Sequence, residues 1–370
     1  MRHAALAVLF LPLAFACSDR EKAGPVPPTA AAEPTAVERQ PFTLVATGDN
    51  RGKIAPCGCQ PPAGGLPRRV AAVQKLRSEG PVLVVDAGDA LVTDPRRPDP
   101  ESARLILSAM AATGVAAGAV GEFDLVLGIS WLKEEAEKAG VPLLSANLRD
   151  ASGEAPFPGR KIVEVGGNRV GIFSVLTSAR SLPDDLTLTD AAAAAAREVA
   201  ALREEGVDLI VGLVHGPMRE VNQLARNVTV DIVVPAHQGG NTRAYPQGDG
   251  WILYSGYEGR TLLEAKIDLR GEGALVSLDE LERHRRSREE LERKIEFGEK
   301  QIPTLAVAAQ RAEVEELVAG FRRDLRRLDR EREYLGEDRG RNFRSRLISL
   351  DGSLGEDATF LEEVRKLEAR

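Results

Sequence analysis

Short runs rich in β-branched residues and leucine recur from Phe42 to about Arg270, and helix-like apolar patterns separate several of them. Continuous apolar strands with helices between them are typical of buried sheets in a layered α/β fold. The predicted strands lie at 42–47, 82–86, 161–165, 170–175, 209–214, 231–235 and 251–254. The predicted helices lie at 65–80, 101–113, 130–140 and 191–206.

The pattern changes after Gly273, where arginine, glutamate and leucine dominate. Pro303 divides the charged stretch at 276–336, which favours an antiparallel helical hairpin over one long rod. Apolar residues three, four or seven apart form a coiled-coil seam at Val314, Leu317, Phe321, Leu325, Leu328 and Leu335, with a thinner one at Leu281, Leu291, Ile295 and Ile302. We interpret the run 284–286 as a solvated face; the alternative is a functional basic patch. A strand and a closing helix are expected in 340–370.

The first residues have the pattern of an export signal. An apolar run from Ala4 to Ala16 follows Arg2 and His3 and ends at Cys17, and it is too short to span a bilayer. It resembles a bacterial lipoprotein signal (1–17), which implies that Cys17 is acylated and anchors the chain. The alternative is an ordinary signal peptide cut near Ala16. The Pro/Ala-rich stretch at 18–40 is predicted to be a disordered tether.

Composition limits the function classes. The 370 residues carry a net charge of −7, so there is no basic excess to offset nucleic-acid phosphate. We therefore expect no nucleic-acid partner. The chain has three cysteines and no Cys-x-x-Cys-His, which excludes covalent haem attachment.

Acidic residues and histidines follow the ends of predicted strands. Asp49 and Asp89 come after the first two strands, and His215 and His237 come after two later ones. In open α/β sheets the carboxyl ends of the strands form the binding crevice, so these four side chains are expected to converge there. Carboxylates and neutral imidazoles together suit Zn, Mn, Fe or Mg. The alternative is that the aspartates cap helices and the histidines are satisfied core groups.

The order of these blocks resembles the metallophosphoesterase domain of the 5′-nucleotidase (calcineurin-like) family. The family's motifs are Asp-x-His, Gly-Gly-Asp, Gly-Asn-His-Glu, a lone His, and Gly-His-x-His. The corresponding segments here are 48–51, 87–89, 121–124, His215 and 236–239, and the text at 142–148, 165–173 and 206–215 also matches. The resemblance implies a layered β-sandwich metallophosphoesterase domain at 41–272, flanked by helices and followed by the α-helical hairpin.

Several family positions are changed. Arg51 stands in place of a metal-binding His, Glu122 in place of the Asn ligand, Phe123 in place of the catalytic His, and Gly239 in place of a second metal-binding side chain. The resemblance therefore implies one metal position that keeps Asp89, His215 and His237, with Glu122 as a further candidate. The other position keeps Asp49 and Asp89, and Arg51 would put a positive charge there. Two-metal phosphoryl chemistry needs both ions, so ordinary nucleotidase activity is not expected.

The loop after the first motif contains Cys57 and Cys59 in a Pro-Cys-Gly-Cys block. A similar block occurs in exported bacterial relatives of the family. Its two thiols have either a metal or redox role, or a structural one as a disulfide or as free loop thiols. Arg51 and Arg68 are candidate anion-binding residues.

Two main hypotheses follow. In the first, the protein is a hydrolase in which a divalent metal at a degenerate, mononuclear site acts on a phosphate ester. In the second, it is a catalytically inactive metal- or ligand-binding lipoprotein whose coiled coil contacts a protein partner. A third, borrowed from sulfur-compound hydrolases of the superfamily, places a sulfur substrate at the Cys-x-Cys loop. In each case Ser18 beside Cys17 favours an outer-membrane, periplasm-facing lipoprotein.

Overall fold

The computed structural model describes residues 38–236 and 244–370. The strands there are β1 Phe42–Thr47, β2 Val82–Asp86, β3 Val115–Ala119, β4 Leu143–Leu144, β5 Leu148–Arg149, β6 Arg160–Val165, β7 Asn168–Leu176, β8 Thr187–Leu188, β9 Leu209–His215, β10 Ile232–Ala236, β11 Tyr245–Gln247, β12 Gly250–Ile252, β13 Thr261–Asp268, β14 Val276–Ser277 and β15 Asn342–Ser349. The α-helices are α1 Leu66–Glu79, α2 Pro100–Ala112, α3 Ile129–Ala139, α4 Ala191–Glu204, α5 Met218–Asn227, α6 Leu278–Gln301, α7 Ala308–Arg332 and α8 Ala358–Glu368.

Two mixed sheets organise these strands. One has the order β14-β15-β13-β1-β2-β3-β4 and the other the order β11-β12-β10-β9-β7-β6, while β5 and β8 form a separate pair. In the first sheet β1 to β4 run parallel, and in the second β7, β9 and β10 run parallel. The parallel strands are nearly continuous runs of buried residues, as expected for sheets covered on both faces.

Three apolar clusters show how the layers stack. One joins residues of both sheets, including Leu44 and Val211, so the sheets pack face to face. A second covers the outer face of the first sheet with α1, α2, α3 and α8, and a third covers the second sheet with α4 and α5. The result is a β-sandwich flanked by helices, and the predicted fold class is confirmed.

The C-terminal strand is an internal strand of the first sheet. β15 pairs antiparallel with β13 over eight residues, and β14 pairs with its first two. Phe343 on β15 is fully buried and meets Trp251 edge to face, with ring centroids 5.3 Å apart. The predicted closing segment is therefore part of the same sheet as β1.

The helical hairpin is α6 packed along α7, with a 3₁₀ turn at Ile302–Thr304. The predicted seam is wrong at Leu317, which is 54% exposed, whereas Val318 is buried. Gly298 lets the helices approach, because a Cβ there would lie 2.4 Å from Val318 Cγ2. The solvated-face interpretation of 284–286 is also wrong in part, because His284 is buried with Nε2 2.8 Å from the Leu328 carbonyl oxygen.

The predicted signal peptide with Cys17, and all but the last residues of the predicted tether, lie outside the described residues. Within the described ranges, no helix is both long enough and apolar enough to cross a bilayer.

Candidate functional site

The carboxyl ends of β1, β2, β3 and β9 meet at one edge of the sandwich. They bring together Asp49, Asp89, Glu122 and His215, each at most 3% exposed. Three of them, Asp49, Asp89 and His215, are residues that the strand-end pattern singled out, and Glu122 is the candidate given by the third motif. The fourth residue of that pattern, His237, lies outside the described residues. Parallel strands place their carboxyl ends side by side, which is why residues distant in sequence converge here.

Two turns of the same shape hold the first pair of carboxylates. Asp49 and Asp89 have φ values of 51° and 52°, a left-handed region that few non-glycine residues adopt and in which aspartate is enriched. Backbone hydrogen bonds join the turns: the Asp49 N–H donates to the Gly88 carbonyl at 2.8 Å, and the Arg51 N–H donates to the Asp89 carbonyl at 2.9 Å. The two carboxylates are thereby fixed next to each other in the protein interior.

His215 links the two sheets at this edge. Its Nδ1 lies 3.3 Å from the Ala87 carbonyl oxygen and its Nε2 lies 3.4 Å from Asp89 Oδ2. Burial acts to lower the pKa of His215, but the Asp89 carboxylate outweighs it and raises the pKa to about 9. In the absence of a metal ion this pair is therefore a buried ion pair.

Arg51 lies against both carboxylates. Its Nε donates to Asp49 Oδ1 and is 4.0 Å from Asp89 Oδ2. Its Cζ lies 4.3 Å from the centroid of the Phe123 ring, a cation–π contact. Burial raises the pKa of Asp49, and the Arg51 guanidinium opposes this shift. At position 51, where the family has a metal-binding histidine, this chain therefore has a guanidinium stacked on an aromatic ring.

Glu122 and Phe123 follow β3 and pack into the same edge. The Phe123 N–H donates to Asp89 Oδ1 at 2.8 Å, which places this segment directly beside the second turn. Glu122 Oε2 accepts the Arg180 N–H at 2.7 Å. The carboxylate is buried, and one of its oxygens is held by the main chain after β7.

Two further carboxylates, to which the sequence patterns assigned no role, support the turns. Asp124 Oδ2 accepts the N–H groups of Asp89 at 2.9 Å and Gly121 at 3.0 Å, and its Oδ1 accepts the N–H of Leu91 at 2.9 Å. Burial, and then the charge of Asp89, raise the pKa of Asp124 to about 7. Asp124 is three residues from Gly121 in the third motif, so its place in that motif was the available signal.

Asp86, the last residue of β2, supports the first turn. It accepts hydrogen bonds from Thr47 Oγ1 at 2.5 Å, Asn50 Nδ2 at 2.8 Å and the Gly88 N–H at 2.9 Å. Burial raises its pKa. Arg69 of α1 is buried nearby, and burial lowers its pKa to about 10 while the charge of Asp86 opposes that shift. Asp86 thus fixes the chain on both sides of Asp49.

The remaining predicted site residues do not join this cluster. Cys57 and Cys59 form a disulfide in the loop before α1, which is one of the structural alternatives. Cys57 lines a cavity of about 420 Å³ whose wall also includes Gly52. Arg68 donates to Glu356 Oε1 at 3.0 Å and to the Pro62 carbonyl at 3.0 Å. These contacts connect α1 to the segment before α8, and they give no support to the predicted anion-binding role of Arg68.

The donor atoms at the strand ends meet the requirements of a metal ion only in part. Within residues 38–236 and 244–370, no three acidic, histidine or cysteine side chains are arranged to hold one ion. Two donor atoms are nevertheless separated by a distance that suits ligands of one ion. Atoms bound to one tetrahedral ion at about 2.1 Å lie about 3.4 Å apart, and Asp89 Oδ2 and His215 Nε2 are separated by 3.4 Å. Asp49 Oδ1 already accepts a hydrogen bond from Arg51 Nε, so a metal ion at that oxygen would have to displace the guanidinium.

No family model matches the chain. Sequence relatives include an apyrase of Aedes albopictus, 35% identical over 127 residues, and the trifunctional nucleotide phosphoesterase YfkN of Bacillus subtilis, 25% identical over 214 residues. These matches cover 31% and 48% of this chain but only 22% and 15% of the relatives.

Solved structures share the fold. The 5′-nucleotidase precursor of Thermus thermophilus superposes with a TM-score of 0.62 at 18% identity, covering 89% of this chain and 59% of that one. YfkN superposes with a TM-score of 0.52 at 19% identity, covering 64% of this chain and 88% of that one. The chain therefore has the fold of 5′-nucleotidases and calcineurin-like phosphoesterases.

Relative to the motifs of the 5′-nucleotidase family that the sequence resembles, this chain keeps the carboxylates at Asp49 and Asp89 and the imidazole at His215. It differs where Arg51 and Phe123 replace histidines, and the structure shows that these two replacements contact each other.

Proposed function

We propose that this chain is an exported phosphoester hydrolase with a degenerate site for a single divalent metal ion. The observation that carries the proposal is the buried Asp89–His215 pair, whose 3.4 Å separation suits two ligands of one ion. Glu122 and His237 would complete the ligand set. A bound divalent ion would supply Lewis-acid activation of a phosphoryl oxygen or of water.

The excess of negative charge among the buried side chains favours the binding of an additional cation. Around the strand ends, the described residues include five acidic and three basic side chains, so the fully ionised cluster has two negative charges in excess. The acidic members are Asp49, Asp86, Asp89, Glu122 and Asp124, and the basic ones are Arg51, Arg69 and His215. Uncompensated buried charge is costly, and one divalent ion would balance this excess.

The test is metal content followed by turnover. The full-length protein is loaded with Mn²⁺, desalted, and its bound metal is measured by mass spectrometry for the unmodified chain and for Asp89→Asn and His215→Ala. We expect about one ion per chain, reduced at least tenfold in both variants, since His215→Ala removes a ligand and Asp89→Asn replaces a charged ligand with a neutral amide. Asp94→Asn, which alters an exposed carboxylate, is the matched control.

Turnover of 4-nitrophenyl phosphate and bis(4-nitrophenyl) phosphate is measured on the same samples. Metal-dependent hydrolysis that both ligand variants lose would support the proposal. Metal content that Asp89→Asn and His215→Ala leave unchanged would contradict the assigned site. One bound ion without hydrolysis of either ester would favour the second candidate function, a metal-binding lipoprotein without activity.

The second candidate draws on the hairpin. Phe297, Val307 and Leu317 are 65%, 52% and 54% exposed, and residues 301–310 at the tip contain no charged side chain. Exposed apolar residues of this size on a highly charged hairpin are typical of an interaction surface. In this function the hairpin would contact a protein partner while acylated Cys17 holds the chain at the outer membrane, facing the periplasm.

A further inference from the structure

The buried carboxylates of Asp49 and Asp89 lie next to each other, so nearby positive charge is needed to stabilise their ionised forms. Their side chains are 1% and 0% exposed, and the joined turns hold them in adjacent positions. His215 supplies one positive charge beside Asp89, and leaving the second buried carboxylate uncompensated would be very unfavourable, so a further cation must accompany the pair in the folded state.

Arg51 supplies that cation from within the chain. Its Nε contacts the Asp49 carboxylate and lies 4.0 Å from Asp89, and the Phe123 ring covers one face of its guanidinium. A guanidinium is charged at every pH at which the protein folds, and only 18% of this side chain is exposed. A metal ion bound between these carboxylates would have to displace it and would lie beside its charge.

The outer edge of the guanidinium is available to a ligand. Among the described residues, the side-chain hydrogen bond of Arg51 is donated by Nε, whereas Nη1 and Nη2 donate none. The fork of a guanidinium matches two oxygens of a phosphate or carboxylate.

We propose that Arg51 is the permanent cation of this half of the site: it excludes a metal ion from the Asp49–Asp89 pair and presents its Nη groups to the oxyanion of the ligand. The identity of that oxyanion as a phosphate rests on the proposed function; the exclusion of metal does not. Phe123 is a positioning residue, because it fixes the plane of the guanidinium. The proposal implies that replacing Arg51 alone would allow a metal ion to bind between Asp49 and Asp89.

The experiment measures metal stoichiometry rather than activity. Full-length protein, Arg51→His and Arg51→Gln are saturated with Mn²⁺, desalted and assayed for bound metal, and circular dichroism and a thermal melt verify folding. Both variants remove the competing charge, and histidine adds a ligand, so each is expected to bind one ion more than the unmodified chain. Arg96→His places a histidine at an arginine that is 89% exposed and should leave the metal content unchanged.

The outcomes separate the two proposals. One ion in the unmodified chain and two in Arg51→His supports both. No ion in the unmodified chain and one in Arg51→His supports the role of Arg51 and contradicts the proposed single-metal site. Two ions in the unmodified chain, or equal content in folded Arg51→His, overturns the role of Arg51 whether or not the protein hydrolyses esters.

A second measurement tests the anion contact. Binding of inorganic phosphate is followed by calorimetry in the unmodified protein and in Arg51→Lys, which retains the charge and loses the fork. We expect affinity to fall about tenfold or more in the variant, while metal content stays the same. Equal phosphate affinity in the two proteins would overturn the anion-binding part of the proposal.

Discussion

Asp124 accepts three buried main-chain N–H groups, and its replacement should therefore disturb the site without touching a ligand. In Asp124→Asn one oxygen remains and the amide nitrogen faces an N–H donor. The two bonds to Asp89 and Gly121 can be kept, because one oxygen accepts both, whereas the bond to Leu91 is lost. A buried donor without a partner costs about 1–3 kcal/mol, so Asp124→Asn should lose about that much stability.

Asp124→Ala removes all three bonds. We expect a loss of about 3–6 kcal/mol, since each orphaned N–H costs about 1–3 kcal/mol and entry of water recovers part of it. Such a loss is a large share of the 5–15 kcal/mol that typically separates folded from unfolded states.

The assay is urea unfolding in the presence of a chelator, followed by circular dichroism, so that metal binding does not contribute. Asp150 provides a matched control, since its Oδ1 also accepts three hydrogen bonds, from the Ser152 N–H, the Ser152 hydroxyl and the Glu154 N–H, but in an exposed turn. Asp150→Asn should cost less than about 1 kcal/mol, because water replaces the lost acceptor. Equal effects of Asp124→Asn and Asp150→Asn would refute the argument that burial makes Asp124 essential.

Two other substitutions test the packing beside the site and in the sheet. In Gly121→Ala the added Cβ would lie 2.2 Å from Asp89 Oδ1, so we expect a loss of about 1–3 kcal/mol or more in the same unfolding assay, together with weaker Mn²⁺ binding. Gly80→Ala, where a Cβ meets nothing within 4 Å, should change stability by less than about 0.5 kcal/mol, and an equal loss would contradict the steric explanation. Phe343→Ala should cost about 3–5 kcal/mol because the ring is fully buried against Trp251. Phe297→Ala, at 65% exposure, should stay within about 0.5 kcal/mol, and similar melting temperatures for the two variants would show that β15 is not integral to the sheet.

Strong local patterns made most of the fold predictable. Runs such as Leu209–His215 and Val82–Asp86 are continuous apolar segments, and both form strands. β3, by contrast, has the sequence Val-Ala-Ala-Gly-Ala, and alanine and glycine have low strand propensity. It forms a strand because it pairs with both β2 and β4, a tertiary effect that no local window contains.

The part of the candidate site that consists of residues directly after predicted strands could be predicted from the sequence. Asp49, Asp89 and His215 converge because they follow predicted parallel strands, which is a rule of topology. Glu122 was a candidate only through its place in the third motif, since β3 was not among the predicted strands. The contact of Arg51 with Phe123 was not predictable, because it depends on the relative position of two loops more than 70 residues apart. The same holds for Asp124, whose bonds to the second turn depend on the register of β2 and β3.

The hairpin of α6 and α7 leaves the first sheet at β14 and returns to it at β15, and these two strands are direct neighbours. In topological terms the hairpin is therefore a long loop between adjacent positions of one sheet. Adding one heptad to each helix would move the tip outward by about 10 Å and leave the strand pairing in place. The molecule thus contains a spacer of adjustable length, and residues 302–307 at its tip are a natural place to graft a binding peptide or a spectroscopic probe.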